Sequence, residues 1–283
     1  MNPPGPTDDG GRVSGLPSSG SRAMDGSTSA VIGDVHGALH PLMAALRHAG
    51  FLDVRGRWAG GERTLWFLGD FMDRGPDGSG VVQLVRRLQD AAPQDGGAVH
   101  ALLGNHEVLA LGRHRFGGRR LETPAGPRSF EDSWRRNGGR ESDQNELSED
   151  DFAWLAALPG MALTGSALLA HADTTEYLSF GSSVEQVNES LAARLSSDDP
   201  LQLWEVWARL TTRHAFREDP QVAQDFLAAF GGEFLVHGHS IIGDVHGHPA
   251  PLTQGPDVYA EGRVVDIDGG LYEGGPCIVL PLP

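Results

Sequence analysis

A chain of 283 residues with 39% hydrophobic side chains can fill one large core or two small ones. Its 38 acidic against 22 basic residues leave a formal charge of −16, which argues against nonspecific binding to nucleic acid or anionic membrane, since that rests on clustered Lys and Arg. The single cysteine, Cys277, excludes an internal disulfide and a Cys-rich zinc site. It reads as a buried filler in a final strand. No apolar run is long enough to span a bilayer, and the N-terminus lacks the basic-then-apolar layout of a signal peptide, so a cytoplasmic protein is expected.

Residues 1–28 are mainly Gly, Pro, Ser and Asp and are expected to form a disordered tail, with one folded domain over 29–283. Ser29-Ala30-Val31-Ile32 is a short apolar run ending in Gly33-Asp34, and Leu39, Leu42, Met43 and Leu46 follow at helical spacing. The pattern then repeats. Thr64 to Leu68 reads as a strand ending in Gly69-Asp70, and Val81, Val82, Val85 and Leu88 mark a helix. Val99 to Leu103 reads as a strand ending in Gly104-Asn105. Strands alternating with helices imply a parallel sheet with right-handed crossovers, whose ligands bind beyond the carboxyl ends of the strands. Each of these strands ends in Gly followed by Asp or Asn, so each delivers an oxygen ligand to that edge.

Residues 113–160, polar and rich in Arg and Gly, end in a helix-like stretch around Phe152, Trp154 and Leu155 and read as an inserted helical cap. Strands are expected again from Met161 to His171, helices over 183–230, and closing strands at Glu233 to Val236, Val264 to Ile267 and Cys277 to Leu280. A near-copy of the first motif, Gly243-Asp244-Val245-His246-Gly247, is followed by Pro249 and Pro251 and reads as a loop.

The chemistry concentrates in three motifs. In Gly33-Asp34-Val35-His36-Gly37, one intervening residue lets Asp and His reach one ion, although a helix-capping Asp would look the same. In Gly69-Asp70-Phe71-Met72-Asp73-Arg74-Gly75, the first carboxylate can bridge two metals; a surface Asp–Arg pair is the plainer alternative. Gly104-Asn105-His106-Glu107 adds a neutral carbonyl oxygen and a histidine free to stand beside the metals, and Glu107 reads as a first-turn acid favoured by the helix dipole. His171 and His239 follow apolar runs later in the chain. Asp, Asn and His together suit manganese, iron or zinc. Asp34, Asp70 and one hydroxide against two divalent ions leave the site near +1, which favours a phosphate dianion, and two such ions can hold the attacking and leaving oxygens of an in-line displacement.

The three motifs, in order and about 35 residues apart, resemble the phosphoprotein phosphatases among the calcineurin-like metallophosphoesterases. The resemblance extends from about residue 29 to 283. It implies an α/β sandwich of two mixed sheets flanked by helices. It implies one divalent ion on Asp34, His36 and Asp70 and a second on Asp70, Asn105, His171 and His239, with manganese the expected metal and iron or zinc alternatives. It also implies His106 as general acid oriented by Asp73, and Arg74 as phosphate clamp. Trp207-Ala208-Arg209 resembles the Trp-x-Arg of phage and bacterial relatives, which makes Arg209 the second clamp, with Arg213 the competitor. His237-Gly238-His239 departs from the Arg-Ala-His of eukaryotic members, and with Ile241 two residues beyond His239, His237 reads as a support behind the ligands or as structural; the family's loop after the last ligand overhangs the site, which implies that His246 could touch substrate. The implied substrate is a phosphoserine, phosphothreonine or phosphotyrosine protein, with dinucleoside polyphosphate hydrolysis the alternative and an inactive metal-binding scaffold the rival from another class.

Overall fold

A computed structural model describes residues 28–283, so all but the last residue of the predicted tail lies outside the described residues. The first three strands fall where the apolar runs predict them: β1 (Ser29–Ile32), β2 (Thr64–Phe67) and β3 (Ala98–Ala101). They run parallel, with Ile32, Phe67 and Ala101 in register. Helices α1 (Leu39–His48) and α2 (Gly78–Ala91) make the crossovers, and α3 (Asn105–Phe116) begins directly at the end of β3. Because the register is shared, the three motif loops leave the sheet at one level.

The 113–160 segment is mixed rather than purely helical. After α3 comes a hairpin, β4 (Leu121–Thr123) and β5 (Gly126–Arg128), then α4 (Phe130–Arg136), α5 (Glu141–Glu146) and α6 (Glu149–Ala156). Strands of three residues carry no apolar alternation, which is why periodicity could not find the hairpin. The start of α6 is fixed by a capping box between Ser148 and Asp151, and Phe152 and Leu155 are buried.

A second sheet follows. Strands β6 (Met161–Thr164) and β7 (Ala167–Ala170) form a hairpin. Helices α7 (Val184–Leu195), α8 (Pro200–Leu210) and α9 (Pro220–Phe230) start on the caps Ser183, Asp199 and Asp219. Then come β8 (Phe234–His237), the short helix α10 (Ile242–His246), β9 (Asp257–Tyr259), β10 (Val264–Asp266) and β11 (Val279–Leu282). The strand order is β6-β7-β8-β10-β9, and β7, β8 and β10 are parallel with Leu169, Val236 and Val265 in register. Strand β11 joins the first sheet, order β11-β1-β2-β3. The expected loop at 243–247 is therefore the single helical turn α10, and Cys277 lies half-buried two residues before β11 rather than inside it.

Val31, Leu68, Leu102 and Leu280 from the first sheet meet Leu169, Val236, Val265 and Ile267 from the second in one buried layer. Ala30, Ile32, Leu65 and Phe67 point the other way into the main core with the helices. Strands buried on both faces read as continuous apolar runs, which is how they appear in the sequence. The layer brings the carboxyl ends of six parallel strands, three from each sheet, to the same rim.

Glycine is required where those ends crowd. A Cβ on Gly69, at φ +103°, would stand 2.4 Å from the backbone N of Gly104, whereas Gly61, at φ +60°, has open space around it. Gly61→Ala should therefore lose only the cost of a left-handed residue, roughly 1–2 kcal/mol. Gly69→Ala should lose roughly 1–3 kcal/mol more from overlap. Urea unfolding of both variants checks this; equal losses would mean that Gly69 is needed for its dihedral angle alone.

Candidate active site

Beyond β1, β2 and β3 stand Asp34, Asp70 and Asn105; beyond β7 and β8 stand His171 and His239. All five are buried, with His36 beside them. Two sets of donor atoms lie close enough to hold an ion: Asp34, Asp70, His171 and His239, and His36, Asp70 and His106. Asp70 belongs to both. Its Oδ2 is 3.4 Å from His36 Nε2, and its Oδ1 is 3.5 Å from His171 Nε2. Asp34, in the first set, also reaches toward the second, with Oδ1 3.9 Å from His171 Nδ1 and Oδ2 3.8 Å from His36 Nε2. Asn105 Oδ1 completes one side, 3.0 Å from His171 Nε2.

The chemistry of this donor set fits divalent cations. In His36, His171 and His239 one ring nitrogen is tied to a backbone carbonyl: His36 Nδ1 to Met72 at 3.0 Å, His171 Nδ1 to Leu68 at 3.0 Å, and His239 Nε2 to Thr211 at 3.2 Å. Those nitrogens donate, so the opposite nitrogen of each ring keeps a lone pair for a metal. Burial holds His36 and His239 well below the ordinary histidine value and lowers His171 as well, so the rings are neutral at pH 7. Burial alone would raise Asp70, but the surrounding histidines, His171 foremost, hold it well below the carboxylate range. Neutral imidazoles around an ionised carboxylate form a cation site.

Beside the cluster is a buried His–Asp pair. His106 Nδ1 lies 2.8 Å from Asp73 Oδ2, both groups fully buried, and Arg74 Nη2 donates to His106 Nε2 at 3.2 Å. Burial works against a protonated ring here, but Asp70 and Asp73 outweigh it and raise His106. Arg74 is also held by Tyr272, whose hydroxyl accepts from Nη1 at 3.0 Å. His36, Asp70, Asp73, Arg74 and His239 all have φ between 45° and 69°, a strained range for residues other than glycine.

Arg209 does not join these residues. It sits in the last turn of α8, paired with Glu205 at 2.9 Å and with Glu176. Arg213 lies four residues on, in the loop that also supplies the Thr211 carbonyl to His239, and its charge lowers His171 and His239. The Trp-x-Arg likeness picks the helical residue; the loop past the helix end carries the arginine whose charge acts on these two histidines. His237 is structural, its Nε2 2.8 Å from the Tyr259 hydroxyl. His246 pairs with Asp257 on β9 at 3.0 Å and is not among the residues of either donor set.

Two residues here escape the sequence reading. Glu107 is more than a dipole acid: its carboxylate accepts from the backbone N–H groups of Asp70, Phe71 and Gly104 at 2.8–2.9 Å and ties two motif loops together. Burial, with Asp70 adding, pushes it up to about 8. Asp268, buried three residues beyond Val265 on β10, is pushed up to about 7 by burial, with the Asp70 charge adding, and its own charge raises Asp34. The run Val264 to Ile267 followed by Asp268-Gly269 repeats the strand-then-Asp signature and could have identified it.

The model of calcineurin-like phosphoesterases matches residues 28–243. The chain belongs to this family. Among curated relatives, Shewanella-like protein phosphatase 2 of Arabidopsis thaliana is 34% identical over 80 residues, which is 28% of this chain and 20% of that protein. A symmetrical bis(5'-nucleosyl)-tetraphosphatase of Photorhabdus laumondii is 37% identical over 82 residues, 29% of this chain and 25% of that one. The matched stretch thus spans about a fifth to a quarter of these relatives. Among solved structures, the cold-active protein-tyrosine phosphatase of a psychrophilic Shewanella aligns with a TM-score of 0.66 and 20% identity over 89% of this chain and 74% of that one. That likeness carries the metallophosphoesterase fold.

Because Asp70 is shared by both donor sets, Asp70→Asn should weaken two metal sites at once. Binding to the native state alone stabilises by roughly 2.7 kcal/mol at a hundredfold excess over Kd. Manganese should therefore raise the melting temperature of the chelated wild type and leave that of Asp70→Asn almost unmoved. An unchanged manganese response in the variant would remove Asp70 from the shared position.

Proposed function

We propose that this metallophosphoesterase hydrolyses phosphate monoesters on phosphoserine, phosphothreonine or phosphotyrosine side chains of proteins. The observation that carries this reading is the juxtaposition of the His106–Asp73 pair and the Arg74 guanidinium with a buried two-set metal cluster sharing Asp70. One ion would be held by Asp34, His36 and Asp70 and the other by Asp70, Asn105, His171 and His239; the mixed oxygen and imidazole set suits manganese, iron or zinc, and the reading takes manganese. Bound there, such ions would supply positive charge for a phosphoryl group and would lower the pKa of a water.

The remaining work falls to side chains. A guanidinium fork matches two phosphate oxygens, and Arg74 is already aimed across the cluster by Tyr272. Arg213 would approach from the opposite loop as the second clamp. When a phosphate draws the Arg74 fork to its own oxygens, His106 Nε2 is free to carry a proton to the leaving oxygen, with Asp73 holding the other side of the ring. The likeness to the protein phosphatase of Arabidopsis supports a protein substrate, and the likeness to the bis(5'-nucleosyl)-tetraphosphatase supports a second reading, cleavage of dinucleoside polyphosphates. No described helix is long and apolar enough to cross a membrane, and the reading includes a cytoplasmic setting.

Rates on a phosphoserine peptide and on diadenosine tetraphosphate, measured with the manganese-loaded protein, discriminate between these substrates. A kcat/KM at least about tenfold higher on the peptide, equivalent to 1.4 kcal/mol, is expected; the reverse order establishes the nucleotide reading. The clamp has its own test. Arg213→Ala should weaken inhibition by inorganic phosphate about tenfold or more, in line with loss of a charge-assisted pair. Arg209→Ala should leave that inhibition unchanged and cost at most about 1 kcal/mol of stability. Weaker phosphate inhibition in Arg209→Ala alone would restore the Trp-x-Arg assignment.

A further inference from the structure

The cap reaches the proton-transfer pair through one short stretch. Trp134 on α4, fully buried, donates its indole Nε1–H to Asp73 Oδ1 at 2.9 Å. The other oxygen of Asp73 takes His106 Nδ1. The Asp73 backbone N–H goes to Asp143 Oδ2 on α5 at 3.2 Å, and Asp143 Oδ1 accepts from the N–H of Gly78 at 3.1 Å. The Arg74 N–H goes to the Gly138 carbonyl at 2.8 Å. Residues 134–143 thus grip 73–78 at several points, where Asp73 and Arg74 hold φ values of 67° and 63° that the loop would not keep unaided.

A carboxylate with one oxygen unpaired can rotate and offer either oxygen to a histidine. Asp73 has no such freedom. Trp134 occupies Oδ1 and leaves only Oδ2, at a fixed angle, for His106 Nδ1. That arrangement keeps the Nδ1 proton on the ring and turns Nε2 toward Arg74 and the cluster, where a leaving oxygen would stand.

We propose that Trp134 is a positioning residue for proton transfer, acting through Asp73 to fix the tautomer and angle of His106, so that the cap is a working part of the site. The inference rests on the proposed role of His106. The plain alternative is that Trp134 only fills the cap core, its N–H satisfied by whichever acceptor is near, as a buried indole requires.

Trp134→Phe keeps a ring and removes the donor. The expected result is a drop in kcat of about tenfold on a phosphoserine peptide, the scale of one hydrogen bond to a charged group. The loss on 4-nitrophenyl phosphate, whose leaving group needs little protonation, should be clearly smaller, with KM and manganese content retained. Phe130→Leu, a cavity in the same cap without a polar link to Asp73, should lower the melting temperature and leave the ratio of the two rates unchanged. His106→Asn is the reference: it should show the same split, roughly 10²–10⁴-fold on the peptide. If His106→Asn affects both substrates alike, the proton-donor reading itself fails. If His106→Asn shows the split and Trp134→Phe loses both rates equally or neither, the positioning role is overturned. Should Trp134→Phe fail to fold, benzothienylalanine at 134, which keeps both rings and lacks the N–H, decides by the same ratio.

Discussion

At the centre of this structure an ionised carboxylate, Asp70, has almost no contact with solvent. Moving such a charge out of water is among the most expensive events in folding unless it is answered. The answers come from every direction. The His106 ring, raised by Asp70 and Asp73, lies beside it, the N-terminus of α3 sends the His106 backbone N–H to its Oδ1 at 3.0 Å, Glu107 holds its own N–H, and three neutral imidazoles leave the place where cations would complete the balance. Much of the architecture follows from the need to bring these groups to one point: strand ends in register, a helix that starts at the cluster, and glycines where backbones must nearly touch.

The groups around Asp70 come from both sheets, so the packing between sheets is part of the site. Val31, Leu169, Val236 and Val265 set the separation of the layers, and that separation sets how far His171 and His239 stand from Asp34 and Asp70. Contact is closest at the rim. A Cβ on Gly33 would meet the Ile267 carbonyl at 2.9 Å, and one on Gly238 would fall 2.2 Å from Asp34 Oδ1. A change of side-chain volume in the apolar layer therefore acts on ligand spacing without touching a ligand, because close-packed interiors transmit displacement.

Much of this was legible in the sequence, for a physical reason. Buried parallel strands are continuous apolar runs, and the Gly-Asp and Gly-Asn that end them mark where the chain turns out of the sheet with a ligand in hand. Asp34, Asp70, Asn105, His171 and His239 are brought together as that pattern implies. What the pattern could not convey is what depends on partners distant in sequence. Arg209 and Arg213 are four residues apart, and only the position of the α8 terminus separates the one paired with Glu176 and Glu205 from the one whose charge acts on His171 and His239. Trp134 looks like any apolar cap residue until Asp73, 61 positions away, is seen to accept from it. The β4–β5 hairpin was invisible because three-residue strands carry no period.

The left-handed backbone at His36, Asp70, Asp73, Arg74 and His239 has a consequence for descent. Each of these residues costs on the order of 1–3 kcal/mol where glycine would cost much less, and Asp and His take the conformation more readily than Arg. Selection for the centre must hold His36, Arg74 and His239 against a steady thermodynamic preference for glycine. A gene copy released from that selection gains stability by yielding to it. Glycine at those three positions in a related chain would therefore record the abandonment of the centre, and the order in which it appears would follow the strain at each turn.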